Sequence, residues 1–124
     1  MNILFLDDSL VRTKKFRSNW PFAIIVHTSD DAISKLASNT NWDYVFLDHD
    51  LGGEIYVDSS REDCGMTVVR WIVEHKPQIG TIIVHSLNAP ARESMVSDLR
   101  NAGFTTHSVP YTNLYDSDII SILE

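Results

Sequence analysis

The chain has 124 residues, 44% of them apolar, which suits one domain built around one hydrophobic core. Seventeen acidic against ten basic side chains leave a net charge of −7, which argues against general binding to nucleic acid or anionic membranes but leaves room for a local basic patch that recruits an anion. The lone Cys64 cannot form an internal disulfide, and no apolar run is long enough to cross a bilayer. Met1 leads at once into strand-like residues, without a secretory signal, so a cytoplasmic location is expected.

Short apolar runs alternate with amphipathic helical windows, the pattern of parallel strands joined by crossover helices. The first strand, residues 3–6, ends on Asp7 and Asp8. A basic helix over 10–19 follows and carries Arg12, Lys14, Lys15 and Arg17. After a second strand at 22–26, a helix over 29–38 opens with Ser29 as N-cap and with Asp30 and Asp31 in its first turn. The third strand, 44–47, runs into Asp48, His49 and Asp50 and then into Gly52 and Gly53, which make a tight turn or let backbone approach a ligand closely. Residues 54–63 read as a lid or a solvated loop.

A third helix runs from about residue 65 to 76 and stops at Pro77. The fourth strand, 81–84, ends on His85 and Ser86. A fourth helix starts near Pro90, places Met95, Leu99 and Ala102 on one face and closes at Gly103. A fifth strand at 104–109 and a fifth helix from Tyr115 onward complete the pattern. Continuous apolar character in Val45-Phe46-Leu47 and Ile82-Ile83-Val84 indicates strands covered on both faces. Residues 1–124 therefore read as a single domain: a doubly wound, five-stranded parallel sheet in the order 2-1-3-4-5 inside a three-layer α/β sandwich.

That order matters for function, because ligands of such sheets sit beyond the carboxyl ends of the strands at the switch point, here between the first and third strands. Asp7 and Asp8 then face Asp48 and Asp50. Carboxylates gathered in one place share protons, shift their pKa values upward or bind a cation, and the cation is the simplest resolution. Oxygen ligands suit Mg²⁺ or Mn²⁺, while a histidine in the same pocket, His49 or His85, raises the odds of a transition metal such as Zn²⁺. Ser86 and Asn88 stand on the adjoining rim. Cys64 near a helix start has no partner that completes a nucleophilic pair and reads as structural, as do His27, His75 and His107.

At these residues the sequence resembles the response-regulator receiver domain, a flavodoxin-like fold. Asp7-Asp8, Asp48 in "DYVFLD" and Ser86 occupy the positions of the magnesium acids, the phosphoacceptor aspartate and the small hydroxyl residue of receivers. Two departures stand out. Receivers end their fifth strand on a lysine, whereas here Val109 precedes Pro110 and no lysine follows Lys76; and "HDLG" replaces the usual hydrophobic residue and proline after the acceptor, with an eleven-residue insertion before "CGM". Together "FLDD", "LDHDLG" and "VHSLN" are similar to a receiver-like family predicted to process cyclic phosphates in bacteria and their viruses.

That resemblance implies a metal-dependent phosphoesterase acting on a cyclic phosphate or a small phosphorylated nucleotide. Asp8 and Asp48 hold the cation with Asp7 and Asp50 in support, His85 serves as general acid or base, and His49 acts as its partner or as a ligand. Ser86 and Asn88 donate to phosphoryl oxygens, Gly52 lets the ligand approach, and Arg12 and Arg92 reach a phosphate from the first turns of their helices. Asp48 as a nucleophile is the alternative to Asp48 as a ligand. The rival to catalysis is a receiver-like module that binds a protein partner or sequesters a signalling nucleotide. The receiver likeness also makes the face formed by the fourth and fifth helices, with Met95, Tyr111 and Tyr115, a candidate dimer surface.

Overall fold

In the computed structural model the described residues are 1–39, 41–51 and 64–109. All four side chains of the first apolar run, Ile3–Leu6, are buried, which a strand achieves only when both of its faces are covered. This strand, β1, is followed by α1 (Leu10–Asn19), β2 (Ile24–Val26), α2 (Ser29–Ser38), β3 (Asn41–Leu47), α3 (Gly65–His75), β4 (Gln78–Val84), α4 (Ala89–Asn101) and β5 (Thr106–Ser108). The strands form one parallel sheet in the order β2-β1-β3-β4-β5, as expected from the alternation of elements.

The period-two alternation of the strands divides the core between two faces. Leu4, Leu6, Val45, Leu47, Ile82 and Val84 pack with Ala32, Leu36, Val69, Ile72, Met95 and Leu99 of α2, α3 and α4. Ile3, Phe5, Phe46 and Ile83 pack with Phe16 of α1 on the other face. There Phe5 stacks on Phe16 with ring centroids 4.0 Å apart, and Phe46 meets Phe16 edge-on at 4.8 Å. Complete burial of side chains of this size contributes about 1.5–3 kcal/mol each.

Strand bounds depart from the sequence expectation in a consistent direction. The inner strands β3 and β4 each extend three residues further towards their amino ends, because Asn41 pairs with Gln78 and Trp42 with Ile79 in continuous register down to Leu47 and Val84. Exposed Asn41, Asp43 and Gln78 hide this extension from any search for apolar runs. The outer strands β2 and β5 are shorter than expected, since each has only one neighbour to pair with among the described residues.

Helix α2 is capped by Thr28, whose hydroxyl accepts from the Asp31 amide at 3.1 Å; Ser29, expected as the cap, is the buried first residue of the helix. Helix α3 closes on Lys76 in the left-handed region (φ 48°), just before Pro77. The expected fifth helix, Tyr111, Tyr115, Gly52 and the 54–63 loop lie outside the described residues.

Candidate functional site

Parallel register decides which residues meet at the carboxyl edge of the sheet. Phe5 is level with Phe46, and Leu47 with Val84, so the residues just beyond them, Asp7, Asp48 and His85, stand in one row. Backbone bonds hold the row in place: the Asp7 amide donates to Val26 O (3.1 Å), that of Asp48 to Leu6 O (3.2 Å) and that of His85 to Leu47 O (2.9 Å). All three side chains are buried, and each offers a ligand-type atom within 4.8 Å of the others.

Asp7 is the more heavily partnered of the two acids in the row. Its Oδ1 accepts from the Ser9 amide and from Arg12 Nη2, both at 2.9 Å, and its Oδ2 accepts from Arg12 Nε at 2.8 Å and pairs with His85 Nε2 at 3.2 Å. These four contacts use the four lone-pair positions of a carboxylate. An ionised carboxylate only accepts, so His85 Nε2 is the donor of this pair. The His85 ring lies parallel to Phe5, with an interplanar angle of 6° and centroids 4.8 Å apart, which holds that nitrogen towards Asp7.

Asp48 has a thinner shell. Its Oδ1 accepts from the His49 amide at 2.8 Å, and its Oδ2 lies 3.5 Å from Arg12 Nη2. The pKa values of the two acids diverge as a result. Burial pushes Asp7 upward, but the His85 and Arg12 hydrogen bonds outweigh it and bring the group down to about 2. Burial dominates at Asp48 and, with the neighbouring Asp7 charge, raises it to about 6 against the weaker pull of His85 and Arg12. The bond to Asp7 raises the Arg12 pKa further, so its guanidinium is a permanent cation inside the cluster.

A second polar group adjoins the first. His49, fully buried, pairs through Nδ1 with Asp50 Oδ1 at 2.9 Å, and the same oxygen accepts from Asn88 Nδ2 at 3.1 Å. Asn88 also caps α4, its Oδ1 accepting from the Ala91 amide at 3.3 Å, while its own amide donates to Ser86 Oγ at 3.1 Å. Asn88→Ala therefore removes a helix cap and one support of Asp50; about 1 kcal/mol of stability should be lost, measurable by urea unfolding.

The row joins Asp7, Asp48 and His85 and brings Arg12 across them, whereas Asp8 stands at the rim, 3.9 Å from Arg12 Nη2 and partly exposed. Asp50, expected beside the cation, engages His49 and Asn88 instead, because its position two residues past the row turns it towards the α4 cap. Ser86 and Asn88, expected as phosphate donors, meet in the β4–α4 turn, where Ser86 Oγ accepts from the Asn88 amide and Asn88 Oδ1 caps α4. Arg92, expected to reach a phosphate, binds Ser86 O at 2.6 Å and Ser108 Oγ at 2.9 Å, tying the ends of β4 and β5 together.

Gly65 is a site residue that the sequence reading missed. Its amide donates to His49 O at 2.9 Å, and a Cβ there would overlap the Asp48 carbonyl oxygen and lie 2.8 Å from His49 Cα. The start of α3 is thus pressed against the strand end that carries the acid. A glycine at the first turn of a predicted helix was the available signal.

The donor set suits a divalent ion: two carboxylates and an imidazole, with Arg12 the one permanent cation among the described neighbours of the two acids and with burial raising the pKa of Asp48. Arg12 already fills the Asp7 oxygens and His85 Nε2 faces Asp7, so a cation fits at Asp48 directly and at Asp7 and His85 only when those contacts give way.

The sequence matches the family described as "Cyclic-phosphate processing Receiver domain" over residues 2–101, most of the chain. The chain belongs to that family. No curated protein matches this receiver domain. Among solved structures it is similar to the N-terminal domain of a response regulator/sensory box/GGDEF three-domain protein from Carboxydothermus hydrogenoformans, at 17% identity over 99% of this chain and 90% of that one, with a TM-score of 0.66. A fusion protein carrying the yeast Spc42 trimeric coiled coil is also similar, at 17% identity over 98% of this chain and 75% of that one, with a TM-score of 0.59. At such identities the likeness establishes the fold alone. Among the described residues of the receiver domain, no helix is long and apolar enough to cross a membrane.

Proposed function

We propose that the strand-end pocket acts as a metal-dependent phosphoesterase on a cyclic phosphate or a small phosphorylated nucleotide. One observation carries the reading: buried carboxylates from β1 and β3 and a buried imidazole from β4 offer ligand atoms within 4.8 Å of one another, at the edge of the sheet where this architecture takes its ligands. The family description supplies the substrate class.

Asp48 and Asp7 would hold a divalent cation, with Asp8 at the rim; hard oxygen donors suit Mg²⁺ or Mn²⁺, and the adjoining imidazole suits Zn²⁺. Such an ion supplies neutralisation of phosphoryl oxygens and a more acidic water. His85 is the proton-transfer group. Its Nε2, held at Asp7 and by the stack on Phe5, would supply the proton to a departing ester oxygen once the contact with Asp7 gives way, and the pairing with Asp7 supports this reading. His49, backed by Asp50, is the second imidazole, and Arg12 presents a planar fork that matches two phosphoryl oxygens.

The test is turnover of a panel of 2′,3′-cyclic, 3′,5′-cyclic and cyclic dinucleotide phosphates with Mg²⁺, Mn²⁺ or Zn²⁺. His85→Ala should lower the rate by about 10²–10⁴-fold, with unfolding still cooperative. Wild-type turnover in that variant would remove His85 from proton transfer. A binding-only reading has one observation in its favour, the complete internal satisfaction of Asp7. It expects tight binding of a member of the panel and no product.

A further inference from the structure

We infer that Arg12 and the divalent cation are alternative occupants of one site, so that the ion displaces the guanidinium from Asp7 and turns it towards the phosphate. The inference rests on the metal reading above and adds to it a role for one side chain. A single guanidinium contacts all three acids that would hold the ion: Asp7 through two bonds of 2.8 and 2.9 Å, Asp48 at 3.5 Å and Asp8 at 3.9 Å. Asp7 has no lone pair left for a metal while those bonds stand.

The pair is also asymmetric. The Asp7 side chain is 0% exposed and anchored by Ser9, whereas that of Arg12 is 27% exposed and sits in the first turn of α1, at the mouth of the pocket. When the two part, the acid stays and the arginine moves. A flexible side chain then exchanges its carboxylate for another planar oxygen pair, and a phosphoryl group arriving with the ion offers one. Val109, buried at the end of β5, contributes no cation there, which leaves Arg12 as the one described cation beside the acids to meet the phosphate. Ion and phosphate should then bind cooperatively, and by linkage each should strengthen the other by the same factor.

Calorimetric titration with MnCl₂, with and without inorganic phosphate, tests this on the full chain. Arg12→Gln should bind Mn²⁺ about 10–100-fold more tightly than wild type, the factor by which a charged, doubly bonded pair favours the closed arrangement. It should also unfold at a lower temperature than wild type in EDTA and regain that loss with Mn²⁺. Wild type should show Mn²⁺–phosphate cooperativity that Arg12→Gln lacks, and Arg12→Lys should restore part of it. Equal or weaker Mn²⁺ binding in Arg12→Gln, beside measurable binding in wild type, overturns the exchange and leaves the metal reading intact. Absence of Mn²⁺ binding in both proteins removes the metal reading, and the exchange with it.

Discussion

Gly65→Ala is expected to cost about 3 kcal/mol or more, and Gly65→Val to abolish cooperative folding, because overpacking against backbone cannot be relieved by a change of rotamer. A Cβ at this position would occupy the space of the Asp48 carbonyl oxygen and lie 2.8 Å from both the Asp48 carbonyl carbon and His49 Cα. Relief requires α3 to back away from the end of β3, which breaks the 2.9 Å bond from the Gly65 amide to His49 O and opens the core where Val68, Val69 and Ile72 pack. Urea unfolding of Gly65→Ala reads the effect. A variant within 1 kcal/mol of wild type would mean that α3 is free to shift, and the close approach would lose its claim to position Asp48.

Asp48→Asn is expected to stabilise the metal-free protein, by an amount that depends on pH. The folded state raises the Asp48 pKa from 3.8 to about 6, so it binds this proton more tightly than the unfolded chain does. Stability is therefore intact below pH 3.8, falls as pH rises between 3.8 and about 6, and stays reduced above that, where both states are ionised. A shift of this size corresponds to about 3 kcal/mol at neutral pH, an upper figure because the variant also loses the weak contact with Arg12.

The neutral asparagine does not titrate, so the gain over wild type should be near zero at pH 4 and largest at pH 7–8. Asp7 behaves in the opposite sense: lowered to about 2, it contributes stability that is present above 3.8 and is lost as pH falls through 2, and Asp7→Asn should cost about 2 kcal/mol at neutral pH. Urea unfolding in EDTA across this range separates the two acids. A pH-independent difference between Asp48→Asn and wild type would show that Asp48 carries no buried charge at neutral pH. The expected pattern is that of a buried acid retained at a cost to stability.

The residue types of the pocket, and their placement at strand ends, were legible in the chain because each follows directly on an apolar run: Leu6 before Asp7, Leu47 before Asp48, Val84 before His85. Which nitrogen meets which oxygen was not. Asp7 and His85 are 78 positions apart, and only the register across β1, β3 and β4 sets them level. Arg12 stood out as a phosphate ligand by its place on α1, but its two hydrogen bonds to Asp7 follow from the need to satisfy a buried carboxylate with the nearest cation. Asn88 at the α4 cap and Arg92 between Ser86 O and Ser108 Oγ likewise have partners that their positions in the chain did not reveal.

By itself the sequence determined the layer order and the edge of the sheet at which the acids gather, because apolar periodicity and strand–helix alternation leave few topologies for a chain of this size. Tertiary structure alone decided how the charges are shared. Burial and three-dimensional proximity divide two chemically identical aspartates into one held near pKa 2 and one near 6, and they press a glycine seventeen residues downstream against the second. Dielectric environment and close approach are properties of the packed molecule, and no local pattern of residues encodes them.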